Sequence, residues 1–110
     1  MAEPVQVTDI TFDAEVLKND LIVLASFWSE WSTPSKKMTA MLENVAKKFT
    51  ATIKLVALNI DEAPRTTSAY GVLNVPTVIV FRNSQPVETI AGPTTQKEIE
   101  KKIFPYLPID

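Results

Sequence analysis

The sequence predicts an α/β fold with a central mixed β-sheet flanked by helices on both faces, and three observations carry that reading. Leu21-Ile22-Val23-Leu24-Ala25 is a continuous apolar run of strand length, as expected of a central strand covered on both sides. Met38, Met41, Leu42, Val45 and Phe49 fall at i, i+3, i+4, i+7 and i+11, the stripe of a long helix with one buried face. Around these two segments, strand-type runs alternate with helical spacing in the order β-α-β-α-β-α-β-β-α.

Val5-Gln6-Val7-Thr8 alternates weakly and reads as a short first strand. Thr11 is placed to cap a helix running through Val16-Leu17-Lys18, since its hydroxyl can accept from an orphan backbone N–H. Asn19-Asp20 then turns the chain into a strand over residues 21–28. That strand ends at a junction, Phe27-Trp28-Ser29-Glu30-Trp31-Ser32-Thr33-Pro34-Ser35-Lys36, which contains both tryptophans and opens the long helix. Pro34 suits the first helical turn, where its missing N–H leaves nothing unsatisfied. Residues 53–60 form the next buried strand, followed by polar Asp61-Glu62-Ala63-Pro64 and a short helix that Gly71 closes in the left-handed conformation. Residues 77–81 are apolar after the first and read as central in the sheet. Asn83-Ser84-Gln85-Pro86 reads as a hairpin turn longer than the minimal Asn-Gly type, with residues 87–91 as the returning strand. Thr95 and Glu98 have capping-box spacing, Ile99, Ile103, Phe104 and Leu107 give the last helix its apolar face, and Pro105 ends or kinks it.

A length of 110 residues, 45% of them hydrophobic, fits one soluble domain over residues 1–110 with a single core. Net charge is −2, with no block of like charge, which argues against a sequence-independent grip on nucleic acid or anionic lipid. No signal-peptide apolar region follows Met1-Ala2-Glu3-Pro4, and no run reaches the ~20 residues of a membrane span. The expected compartment is the cytoplasm, with no membrane or nucleic-acid partner. The absence of cysteine removes disulfides, thiolate metal sites and thiol–disulfide exchange, and the absence of histidine removes the commonest general base near neutral pH. Gly71 and Gly92 are the only glycines, too few for a phosphate-cradling loop or a dinucleotide fingerprint. Neither a metal nor a cofactor is expected.

The turn has the pattern W-x-x-P-x-K, and Trp31-Ser32-Thr33-Pro34-Ser35-Lys36 resembles the W-C-G-P-C-K active-site loop of the thioredoxin family, with Ser32 and Ser35 where the family carries its two cysteines. Other segments share the resemblance in order and spacing over roughly residues 8 to 107. Phe27-Trp28-Ser29-Glu30-Trp31 is similar to the family's lead-in, and Leu58-Asn59-Ile60-Asp61 to its third strand. Tyr70-Gly71-Val72 with Val75-Pro76-Thr77 resembles the cis-proline segment, and Phe81-Arg82-Asn83 and Gly92 extend the match. The resemblance implies a thioredoxin fold, a parent activity of protein-disulfide reduction or exchange, and catalytic positions 32 and 35. It further implies protein or peptide substrates and, for a cysteine form, a thioredoxin reductase. Substrate would be held by Trp31, Thr33, Pro34, Val75, Pro76 and Gly92, with main-chain contacts resembling strand addition.

The departures bear on activity. A serine hydroxyl is hardly ionised at neutral pH and cannot exchange disulfides, so the chain as written is expected to be redox-inactive. Ser32 also has the simpler role of helix N-cap, and Ser35 that of a small polar residue in the first turn. Ser26 stands where the family commonly has a buried acid, Ala57 where that acid has a lysine partner, Thr33 for a glycine and Ala40 for a helix-kinking proline. Three readings follow. The chain is a divergent thioredoxin whose cysteines have been replaced by design, or a natural redox-silent peptide-binding or assembly module, or a serine hydrolase. The last lacks a base. Lys36 lies at i+4 from Ser32 but is expected to be exposed and protonated, and neither serine has the Ser-x-x-Lys spacing.

Overall fold

The computed structural model describes residues 4–49 and 51–107; Met1–Glu3, read above for a leader, lie outside them. The apolar run from Leu21 becomes β2 (Ile22–Trp28), buried at every position but its last. It is the middle strand of five. β1 (Val5–Gln6), β3 (Ile53–Asn59), β4 (Thr77–Arg82) and β5 (Gln85–Ala91) complete a sheet of order β1-β3-β2-β4-β5. β3 pairs in parallel with β1 and β2, whereas β4 runs antiparallel to β2 and to β5, so the sheet is mixed.

Alternation along the strands divides the core in two. Ile22 and Leu24 face Met38, Leu42 and Val45 of α1 (Thr33–Lys48) and Ile99 and Ile103 of α3 (Gln96–Ile103). Val23, Ala25 and Phe27 face the other way, toward Phe12, Val16 and the residues around α2 (Pro64–Ala69). Leu24, Phe27, Leu42 and Leu58 are fully buried, and each such side chain contributes roughly 1.5–3 kcal/mol of transfer free energy. Helices therefore cover both faces, as the pattern of apolar residues predicts. Among the described residues no helix is long and apolar enough to cross a membrane.

Two local expectations are corrected. Thr11 does not cap the first helix, which is a single wide turn over Asp13–Leu17 closed by the Lys18 N–H on the Asp13 carbonyl. The cap is Thr8. Its hydroxyl accepts from the Ile10 N–H at 3.3 Å, while its own N–H donates to the Thr11 hydroxyl at 3.0 Å. The Thr11 N–H in turn donates to the Thr8 carbonyl at 3.2 Å, so the two threonines close the turn that leads into the helix. The β4–β5 hairpin is also tighter than expected. Arg82 pairs with Gln85, leaving a two-residue turn in which Asn83 and Ser84 take φ of 53° and 69°. A type I′ turn matches strand twist so well that a serine is accepted where glycine is usual. Gly71, at φ 67°, does close α2, with its N–H on the Ser68 carbonyl and that of Val72 on the Thr67 carbonyl.

The start of α2 is capped from far along the chain. Ala63 at its N-cap has no side chain to offer, and Asp9 supplies the acceptors instead. One carboxylate oxygen takes the Thr66 N–H and hydroxyl, both at 2.8 Å, and the other takes the Arg65 N–H at 3.1 Å. Burial pushes the Asp9 carboxyl up, but these donors and the Arg65 charge outweigh it and hold its pKa below the ordinary 3.8. A lowered carboxyl pKa adds stability above the ordinary value, and that stability is lost as pH falls through the folded value. Asp9→Asn is therefore expected to flatten the acid limb of the stability curve. Urea midpoints between about pH 5 and about pH 2 test this, and acid limbs of equal slope in the two proteins would refute it.

Candidate functional site

The topology gathers the predicted site at one end of the sheet. β2 runs out at Trp28, and Phe27 pairs with Thr77, which in turn pairs with Ala91. Pro76 and Gly92, one residue beyond those partners, thus lie at the edge where the Ser29–Ser32 turn leaves β2. The Pro76 carbonyl accepts the Gly92 N–H at 2.9 Å, Gly92 has φ 81°, and the Val75–Pro76 peptide bond is cis.

The turn is held by hydroxyls and backbone. Ser32 is the N-cap of α1, in extended conformation at φ −109° and ψ 99°, and its Oγ accepts the Ser35 N–H at 3.2 Å. Ser35 is fully buried. Its Oγ donates to the Ser32 carbonyl at 2.8 Å and accepts the Ser29 N–H at 3.2 Å, so its hydroxyl is engaged in both capacities. Ser32 is 7% exposed. The Lys36 ammonium is turned to Glu30, 3.9 Å away on the surface. Ser32 therefore already has its oxygen committed to a cap, and its candidate base is held by an acid in water.

Beneath the turn, two small residues face each other across the register. Ser26 and Ala57 are direct cross-strand partners, both buried, on the α1 face. Thr39 of α1 donates its hydroxyl proton to the Ser35 carbonyl at 3.1 Å, so the Ser26 hydroxyl, 3.1 Å from the Thr39 oxygen, donates to it. A chain of hydroxyls thus links β2 to α1, and none of its members titrates near neutrality. Among the described residues two buried polar groups are left over. The Ser29 hydroxyl is buried without a partner, as is the Trp28 indole N–H.

Trp31 is 72% exposed and lines a cavity of about 140 Å³ with Val75. Of the predicted binding residues these two are brought together there. Thr33 and Pro34 are exposed on the first turn of α1, Pro76 is buried, Gly92 is half-buried, and none of the four lines that cavity. Its remaining walls were not read from the sequence: Ile60, Thr67, Val72, Leu73 and Asn74. Leu73, 90% exposed, is the most telling of them. The available signal was two apolar residues directly after the Gly71 cap, outside any element that would bury them.

Among known proteins, the sequence model of the family described as "Thioredoxin" matches residues 3–104. The chain belongs to the thioredoxin family. It is 42% identical to the thioredoxin of Rickettsia bellii over 86 residues, 78% of this chain and 82% of that protein. Against thioredoxin 1 of a Nostoc species identity is 33% over 107 residues, 97% of this chain and all of the other. The Porphyra purpurea thioredoxin is 32% identical over 93% of this chain and 95% of its own length. The parent activity of the thioredoxin family is disulfide reduction. The turn before α1 presents two hydroxyls, those of Ser32 and Ser35.

Proposed function

We propose that this chain keeps the binding surface of a protein-disulfide oxidoreductase without its redox chemistry, and that it holds extended segments of partner proteins between Trp31 and Val75-Pro76. The carrying observation is the state of Ser32 and Ser35: one hydroxyl caps the helix, the other is buried and engaged both as donor and as acceptor. Neither can open a disulfide, because no thiolate is available to attack sulfur and none to resolve a mixed disulfide. What persists is shape. An exposed indole beside an uncharged cavity suits strand-like recognition of a peptide.

Trp31→Ala tests this reading. Removal of an exposed aromatic anchor is expected to weaken binding of a partner peptide by about thirtyfold while leaving the fold intact, since Trp31 is not part of the core. Unchanged affinity in a folded variant would count decisively against the groove.

Two origins fit this behaviour. Cysteine codons at 32 or 35 in the gene would mark a chain silenced by design, whose parent reduces disulfides and is served by a thioredoxin reductase. Serine codons would mark a natural binding or assembly module. The Ser26–Thr39 hydroxyl pair beside Ala57 favours the second, because the charged pair that the resemblance implies at 26 and 57 is absent along with the sulfurs.

A further inference from the structure

The cavity beside Trp31 has a neighbour. A second one, of about 190 Å³, shares Leu73 with it and is floored by Thr77 and Ile79 of β4 and by Thr89 and Ala91 of β5. Thr77 pairs with Ala91 and Ile79 with Thr89, so the floor is one face of the sheet, the α2 face. Val72, Leu73 and Asn74 belong to the walls of both cavities. Each is well below the ~300 Å³ at which small-molecule pockets begin, a size suited to one side chain. Neither has a charged residue in its lining.

The wall between them is firmly set. Gly71 and Val72 are tied back to α2, and the Thr77 hydroxyl donates to the Asn74 carbonyl at 2.7 Å. Leu73 stands out between these two anchors, 90% exposed. The adjoining edge of the sheet is open at one end only. β5 is the last strand, and Pro86 has no N–H to offer. The Tyr106 hydroxyl donates to the Val87 carbonyl at 3.0 Å, and a Glu88 carboxylate oxygen accepts the Thr89 N–H at 3.3 Å. Gly92 turns its N–H inward to Pro76, so by strand alternation Ala91 presents its main-chain groups outward. The accessible part of the edge is thus the part beside the second cavity.

We propose that the bound segment is an extended run with apolar side chains at positions i and i+2 and no charge at either. One enters the cavity beside Trp31, the other enters the cavity over Thr89 and Ala91, and Leu73 packs between them. Side chains two apart on a strand share a face about 6.6 Å from one another, the spacing that lets a single leucine stand between them. This rests on the groove reading above and adds the second subsite and the alternating pattern.

The test is an amide NMR titration with three heptapeptides of serine and alanine whose centres are Leu-Ser-Leu, Leu-Ser-Asp and Asp-Ser-Leu. Leu-Ser-Leu is expected to shift the Trp31 indole together with the Thr89 and Ala91 amides. Either aspartate peptide is expected to bind about tenfold more weakly, the effect of one buried apolar side chain. Ala91→Glu should remove the advantage of Leu-Ser-Leu over the weaker peptides without abolishing the indole shift. Binding that moves the Trp31 indole but is indifferent to an aspartate at one of the two positions would overturn the second subsite alone. If no peptide moves the indole, the groove reading fails and this inference fails with it.

Discussion

Ser32→Cys/Ser35→Cys is expected to reduce insulin disulfides with dithiothreitol as the electron source, well above the present chain used as the blank. The reason is that part of the turn's shape rests on backbone bonds that a thiol pair would leave in place: Ser32 N–H to the Ser29 carbonyl at 3.2 Å and Lys36 N–H to the Ser32 carbonyl at 3.3 Å. The residue at 32 lies at the solvent boundary and the one at 35 is covered, the order needed for an attacking and a resolving sulfur. Two electrons pass from dithiothreitol through the restored pair to the insulin disulfide. The rate should stay below that of a thioredoxin with an acid at position 26, because positioned proton transfer supplies about 10²–10⁴-fold and the Ser26–Thr39 pair cannot provide it. It should also climb with pH toward about 8.5, as the free thiolate fraction does. A folded revertant with no turnover would show that more than sulfur is missing.

The second large effect concerns the same buried spot. Ser26→Asp is expected to cost about 3–5 kcal/mol at neutral pH, the usual penalty for a buried charge whose partner is absent, since position 26 is fully covered and its cross-strand neighbour is Ala57. The sign of the pH dependence is fixed by burial. A carboxyl held in apolar surroundings has its folded pKa raised, so the charge penalty is absent below the ordinary carboxylate pKa and grows as pH rises toward the folded value. Adding Ala57→Lys should recover part of the loss, because the two positions are in register on one face. Denaturation midpoints for the single and double variants at about pH 4 and about pH 8 form the cycle. Equal destabilisation at both pH values, or no coupling between 26 and 57, would mean that the site is not the dry place described above.

How far the sequence could be read depended on whether a feature was local. The strand-to-helix turn was legible because its apolar run, its proline and its capping serine lie within a dozen residues, and the Met38–Phe49 stripe announces its helix by period alone. Asp9 was not legible as a cap, since its donors are Arg65 and Thr66 and nothing near residue 9 points to them. The Asn83-Ser84 turn was overestimated in length because the usual glycine of a primed turn is missing. Ser26 and Ala57 were singled out by resemblance, but Thr39, which completes their replacement, required the packing of α1 on the sheet. The groove was half legible. Trp31 and Val75 flank it in recognisable motifs, whereas Ile60 and Leu73 join it only once β3 and the loop after α2 arrive at the same end of the sheet.

The hydroxyl-held turn has a consequence for control. A dithiol at this place would make the surface a two-state object, closed by oxidation and opened by reduction, so that a cell could set its occupancy through redox poise. With Ser32 and Ser35 there is no disulfide in the turn to make or break, so for the binding surface proposed above the shape beside Trp31 is expected to be independent of redox poise. Occupancy then follows concentration and affinity alone, by mass action. A partner held there is let go by dilution, competition or destruction, and never by an electron.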